Sequence, residues 1–131
     1  MPLTLALNEA IVDQPPKKIY DFEERTFLFA KNVRAFVKQL PRTVCNLEDV
    51  KQLVRSSGSV GANYIEANES LGGKDFKMHI KISRKEAKES RYWVRLVDAG
   101  NALDLQKECE CLIQESTELM NIFGAILRKA D

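Results

Sequence analysis

Apolar residues recur along the chain at intervals of three and four, and the pattern breaks at Pro41, at Leu71-Gly72-Gly73 and at Gly100-Asn101, which predicts four helices. Phe22, Thr26, Phe29, Ala30, Val33, Val37 and Leu40 share one face of a first helix over about 21–40. Asp21 is its expected N-cap, with Glu24 three residues on, and Pro41 stops it. A second helix over about 47–70 starts from Asn46 as N-cap and carries Leu47, Val50, Leu53, Val54, Gly61 and Ile65 on its core face. Glycine inside a helix costs about 1 kcal/mol against alanine, so close approach of a neighbouring helix is the expected use of Gly58 and Gly61. The third helix, about 74–99, presents Phe76, Ile80, Ser83, Ala87, Ser90, Val94 and Val97, a face that is small at its centre. Gly100-Asn101 closes it with left-handed C-cap chemistry. The fourth, about 105–128, follows Asp104 as N-cap and aligns Leu105, Cys109, Leu112, Ser116, Leu119, Phe123 and Leu127.

Short connections make sequential helices antiparallel neighbours, so the expected fold class is all-α, an antiparallel up-down-up-down four-helix bundle. One domain over 19–131 is expected, preceded by a flexible N-terminal tail over 1–18 in which Pro15-Pro16 removes backbone donors. Composition agrees with helices: 6 Gly and 4 Pro among 131 residues fall below common usage, and 30% of residues are charged. Cys45, Cys109 and Cys111 are an odd count without framework spacing, and no apolar run approaches the ~20 residues a membrane helix needs. These features predict a reduced, cytoplasmic protein that does not enter a membrane.

With 20 Lys+Arg against 19 Asp+Glu the net charge is only +1, so affinity for a polyanion must come from local arrangement. Such an arrangement exists on the third helix. Lys74, Lys77, Lys81, Arg84, Lys88, Arg91 and Arg95 follow one another at alternating intervals of three and four and form a single basic ridge. The segment Lys74–Arg95 spans about 31 Å as a helix. It holds eight Lys and Arg against three acids. Two readings stay open: the ridge tracks the phosphates of RNA or DNA, or it is a solvated face paired with acids of neighbouring helices.

On the other flank of this helix, Met78, Ile82, Trp93 and Leu96 widen the apolar arc to about 200°, where about 100° seats one bundle helix. A subunit interface is the expected use, and packing against the tail or the off-stripe Phe27 is the alternative. A second stripe on helix two, Ser56, Ser59, Asn63, Glu66 and Ser70, is small and polar. It is either ordinary exposed polarity or a contact face hydrogen-bonded to Lys85, Glu86 or Glu89.

Catalytic constellations are missing from the linear text. His79 is the single histidine, which excludes a two-His metal site, and Cys109 and Cys111 point about 160° apart on a helix. Gly72-Gly73-Lys74-Asp75 lacks the phosphate-loop spacing, and Glu66, Glu86 and Glu89 lack the Glu-x-x-His pairs of carboxylate metal bundles. No enzyme activity, metal or other cofactor is expected.

The run Arg55-Ser-Ser-Gly-Ser-Val-Gly-Ala-Asn63-Tyr-Ile-Glu66-Ala67, then Asp75-Phe76, then Lys81-Ile-Ser-Arg-Lys-Glu86-Ala-Lys-Glu-Ser90-Arg-Tyr-Trp93, resembles the four-helix-bundle proteins encoded in intervening sequences of bacterial 23S rRNA genes. Glu24-Arg25-Thr26-Phe27 and Leu40-Pro41 extend the resemblance over residues 20–127. It implies a ring-shaped homopentamer without established enzymatic activity. It also implies a distant relation to the accessory variability protein of diversity-generating retroelements, which binds a reverse transcriptase and nucleic acid. The resemblance further marks Ser59, Asn63, Glu66, Lys85, Glu86, Ser90 and Trp93 as determinants of fold and assembly.

Overall fold

The computed structural model describes residues 21–130, so the tail expected over 1–18 lies outside the described residues. Asp21 opens the first helix by accepting the Glu24 amide at 3.2 Å, and α1 runs Phe22–Val37. α2 (Val44–Asn68) starts three residues before the expected position. α3 spans Gly73–Leu96 and α4 Leu103–Lys129. α1 packs on α2, α2 on α3, α3 on α4, and α4 closes on α1, giving the all-α up-down bundle.

Phe29, Val33 and Phe36 of α1, Leu53 and Val60 of α2, Ile80, Ala87 and Val94 of α3, and Leu112, Leu119 and Phe123 of α4 fill the interior. Phe36 joins the core although it lies off the stripe read from the sequence. α2 and α3 share the longest contact because both turn small residues towards it. Ser83 Oγ donates to the Val60 carbonyl at 2.9 Å across the helices, and Ser90 Oγ lies 3.0 Å from Ser56 Oγ and 2.8 Å from the Glu86 carbonyl. Every one of these hydroxyls is buried, so its hydrogen bond offsets a desolvation penalty that would otherwise stand uncompensated. The shorter α1–α4 seam is pinned by Arg25, which grips Glu115 through two hydrogen bonds of 2.8 and 2.7 Å and reaches Glu118 at 3.0 Å.

Four expectations about the helices are corrected. Leu47 and Ile65 are exposed, because the face α2 turns inward is Leu53, Ser56, Ser57, Val60, Gly61 and Ala67. The close contact with α3 selects small residues there and leaves bulkier apolar ones at the margin. Asn46 is not the N-cap: Thr43 is, its hydroxyl accepting the Asn46 amide at 3.1 Å. Nor does Asp104 cap the last helix, which follows Ala102 and has Asp104 in its first turn, where it complements the helix dipole. Gly100, at φ +69, takes its left-handed conformation in the link that follows α3, whose last helical residue is Leu96.

The buried Asn46 side chain has a different task. Its Nδ2 donates to the carbonyls of Pro41 and Asp98, both at 2.9 Å, and its Oδ1 accepts the Asp98 amide at 3.0 Å. One side chain thus ties the α1–α2 link to the α3–α4 link. Asn46→Ala should lower stability by about 1–2 kcal/mol in denaturant titration, since it strips partners from three backbone groups. Asn46→Asp retains only the acceptor and should restore a minor part of the loss.

Candidate nucleic-acid interface

The alternating interval of the α3 cations matches the helical repeat, so one core stripe and one basic ridge coexist on the same helix. Ile80, Ser83, Ala87, Ser90 and Val94 are buried, while Lys74, Lys81, Arg84, Lys88 and Arg95 are exposed and Lys77 and Arg91 are half-buried. The ridge leans towards α4, where Arg91 Nη1 donates to Thr117 Oγ1 at 3.3 Å. From Leu119 to Ala130 the opposing stretch of α4 carries no acid, and it adds Arg128 and Lys129 in its last turn. Among the described residues, Lys74, Lys81, Arg84, Lys88, Arg91 and Arg95 have no carboxylate oxygen within 4.0 Å.

Two of the three carboxylates of α3, Glu86 and Glu89, are engaged on the opposite flank, against α2, while Asp75 lies 3.7 Å from His79 on α3 itself. Arg55 bridges Glu86 at 3.1 Å and also pairs with Glu89. Partial burial pushes the Glu89 carboxyl up, but hydrogen bonds from Trp93 and Arg55 outweigh it and hold the group below its ordinary value. Glu86 is buried, and its Oε1 lacks a hydrogen-bond partner. Asn63 Nδ2 donates to the Ser59 carbonyl at 2.9 Å, and its Oδ1 accepts from His79 Nδ1 at 3.2 Å. Of the positions marked by the resemblance, Asn63, Glu86 and Ser90 therefore work in the α2–α3 contact. Ser59 is half-buried beside them, and Glu66 and Lys85 are exposed. The polar stripe on α2 is in part a contact face, with Arg55 rather than the stripe itself meeting Glu86 and Glu89.

Among the described residues, the wide apolar arc of α3 is only partly covered. Trp93 packs against the core margin and Ile82 is half-buried, whereas Met78 is 47% and Leu96 50% exposed. Phe27 does not cover them; it lies beside a groove between α1 and α2 that also contains Ala30, Gly58, Gly61, Ala62 and Ile65. The antiparallel topology places exposed Val44, Leu47, Tyr92, Leu96 and Leu103 at one end of the bundle, a cluster the stripe of a single helix does not reveal. The contribution of Arg128 was likewise invisible in the α3 pattern; its position four residues after Gly124 is the one local signal.

Cys109 and Cys111 do not offer an activated thiolate. Burial, reinforced by nearby Glu110, pushes the Cys109 and Cys111 thiols up, and Cys109 Sγ donates to the Val94 carbonyl. Among the described residues, no three His, Cys, Asp or Glu side chains form a group able to hold a metal ion. No described helix is long and apolar enough to cross a membrane.

Residues 20–125 match the family model described as 23S rRNA-intervening sequence protein. The chain is also similar to a crystal structure of a protein with unknown function from the S23 ribosomal protein family of Bacteroides thetaiotaomicron VPI-5482. The two are 26% identical with a TM-score of 0.68, over 80% of this chain and 96% of the other. Over 72 residues the chain is 33% identical to centromere protein S of Bos taurus, which is 55% of this chain and 52% of that protein. The chain thus spans about half the length of that curated relative.

Proposed function

The chain belongs to the family of 23S rRNA-intervening sequence proteins, and from that membership and the α3 ridge we propose a non-enzymatic, oligomeric bundle that holds structured RNA or other nucleic acid. The observation that carries the reading is the charge arrangement. Arg25, Lys51 and Arg55 of the other helices are paired with carboxylates, while six ridge cations that follow one another on α3 have none within reach among the described residues. Unpaired cations along one helix raise the local potential and release counterions when phosphates replace the salt atmosphere. Pulling the protein from its cells after ultraviolet crosslinking should recover RNA joined to peptides within Lys74–Arg95. Recovery of no crosslinked nucleic acid, or of crosslinks confined to α1 and α2, would contradict the reading.

A second reading makes the chain a structural or protein-binding adaptor whose ridge serves subunit assembly, and the exposed apolar residues favour assembly in either case. Met78 and Leu96 are its proposed anchors on α3, with Ile82 and Trp93 at the edge, in a homo-oligomer taken to be the pentamer that the family resemblance implies. The site of action is the cytoplasm. Light scattering should show a species well above the 14.9 kDa of one chain. Met78→Glu with Leu96→Glu should reduce it to smaller species without unfolding, since both side chains are already exposed. A monomeric wild type would remove the oligomer from the account.

A further inference from the structure

Where the ridge meets the last turns of α4, two guanidinium groups converge. A Cβ on the buried Gly124 would lie 3.4 Å from Arg128 Nη1 and 3.9 Å from Arg84 Nη1, so both side chains come within 4 Å of one point. Arg128 reaches it from one turn further along α4, because long helical side chains lean towards the N terminus. Arg84 reaches it from α3. Together with Met120 and Asn121 they line a cleft of about 300 Å³. Neither arginine has a hydrogen bond or a carboxylate within reach among the described residues.

We propose that Arg84, Arg128 and Asn121 form a seat for one phosphate group above Gly124. Two like charges brought together without a counterion repel each other, and an oxyanion between them removes that repulsion. Guanidinium presents forked N–H donors that match phosphate oxygens two at a time, which a lysine cannot do. The Asn121 amide adds a neutral donor, and the Met120 stem bounds the cleft with an apolar wall. The seat rests on the nucleic-acid reading for the source of its phosphate as a backbone group. Its chemistry is equally that of a free phosphate ion.

The test has two arms on the full-length protein. In the first, inorganic phosphate is titrated while the side-chain N–H resonances of Arg84, Asn121 and Arg128 are followed by NMR, with Arg95 as a ridge cation outside the seat. The three signals should shift together and saturate, and Arg128→Gln, a surface change, should weaken phosphate binding by about tenfold or more. In the second, fluorescence anisotropy reports the affinity of a labelled RNA hairpin for wild type, Arg128→Gln and Arg95→Gln. A larger loss for Arg128→Gln than for Arg95→Gln identifies the ligand as backbone phosphate. Saturable phosphate binding without RNA affinity identifies it as free phosphate, which upholds the seat while the nucleic-acid reading fails. Shifts at Arg84 and Arg128 that never saturate, or that match those at Arg95, overturn the seat.

Discussion

Gly61→Leu should destabilise the bundle by about 2–3 kcal/mol, because it forces methylenes into a filled contact between α2 and α1. A Cβ at this position would stand 2.8 Å from Thr26 Oγ1 and 3.2 Å from Thr26 Cβ. Thr26 cannot turn aside cheaply: it is buried, β-branched, and its hydroxyl is held by the carbonyls of Phe22 and Glu23 at 2.7 and 3.0 Å. α1 must therefore move, which strips the Phe29 and Val33 layers of their fit. Leucine's better helix propensity works the other way by up to about 1 kcal/mol and is already included in the net figure. The neighbouring glycine supplies the control. A Cβ at Gly58 would meet only the far end of Arg34, at 3.4 Å, so Gly58→Ala should be neutral or raise the denaturation midpoint. Equal responses at the two positions would show that Gly61 is not the point of close approach.

That contrast shows how the sequence carries the fold. The breaks at Pro41, Gly72-Gly73 and Gly100 and the stripes of α3 and α4 are local signals, and the helices and most of their buried positions follow from them. α2 was harder to read because its inner face is built from Ser56, Ser57, Val60 and Gly61. Small residues carry little hydrophobic signal, and Leu47 and Ile65, which carry more, drew the stripe away from the true contact. Asn46 looked like a cap because asparagine is a good one. Its partner Asp98 is 52 residues away, and no local pattern encodes that pairing.

The same division holds for the interface. The ridge was legible because a run of intervals on one helix decides which residues share a face, and five of its seven cations are exposed as that face requires. Whether those charges are paired is decided by other helices. The acid-free end of α4 and the convergence of Arg128 on Arg84 emerge only when the two helices lie side by side. Trp93 shows the reverse effect. Its angle on α3 places it on the outer arc, but a side chain of that size reaches back to the core margin while its indole N–H stays with Glu89 at 3.4 Å.

Neutralising the ridge should have the largest effect on binding, and Lys74, Lys81 and Lys88 are the positions to change. All three are exposed, have no carboxylate within 4.0 Å among the described residues, and stand outside the Arg84–Arg128 cleft. Phosphate contacts position a nucleic acid without reading its sequence, so the loss should be similar for unrelated RNA hairpins. Each cation that neutralises one phosphate contributes roughly 0.7–0.9 to the slope of log affinity against log salt. The most direct measurement is a salt-titrated fluorescence anisotropy series on wild type and Lys74→Ala/Lys81→Ala/Lys88→Ala, with the oligomeric state followed by light scattering. The account predicts measurable wild-type affinity at about 50 mM salt, a slope shallower by roughly 2–3 in the triple variant, and an unchanged oligomer. No wild-type binding at that salt, or a variant that loses its oligomer while its slope stays put, would contradict it.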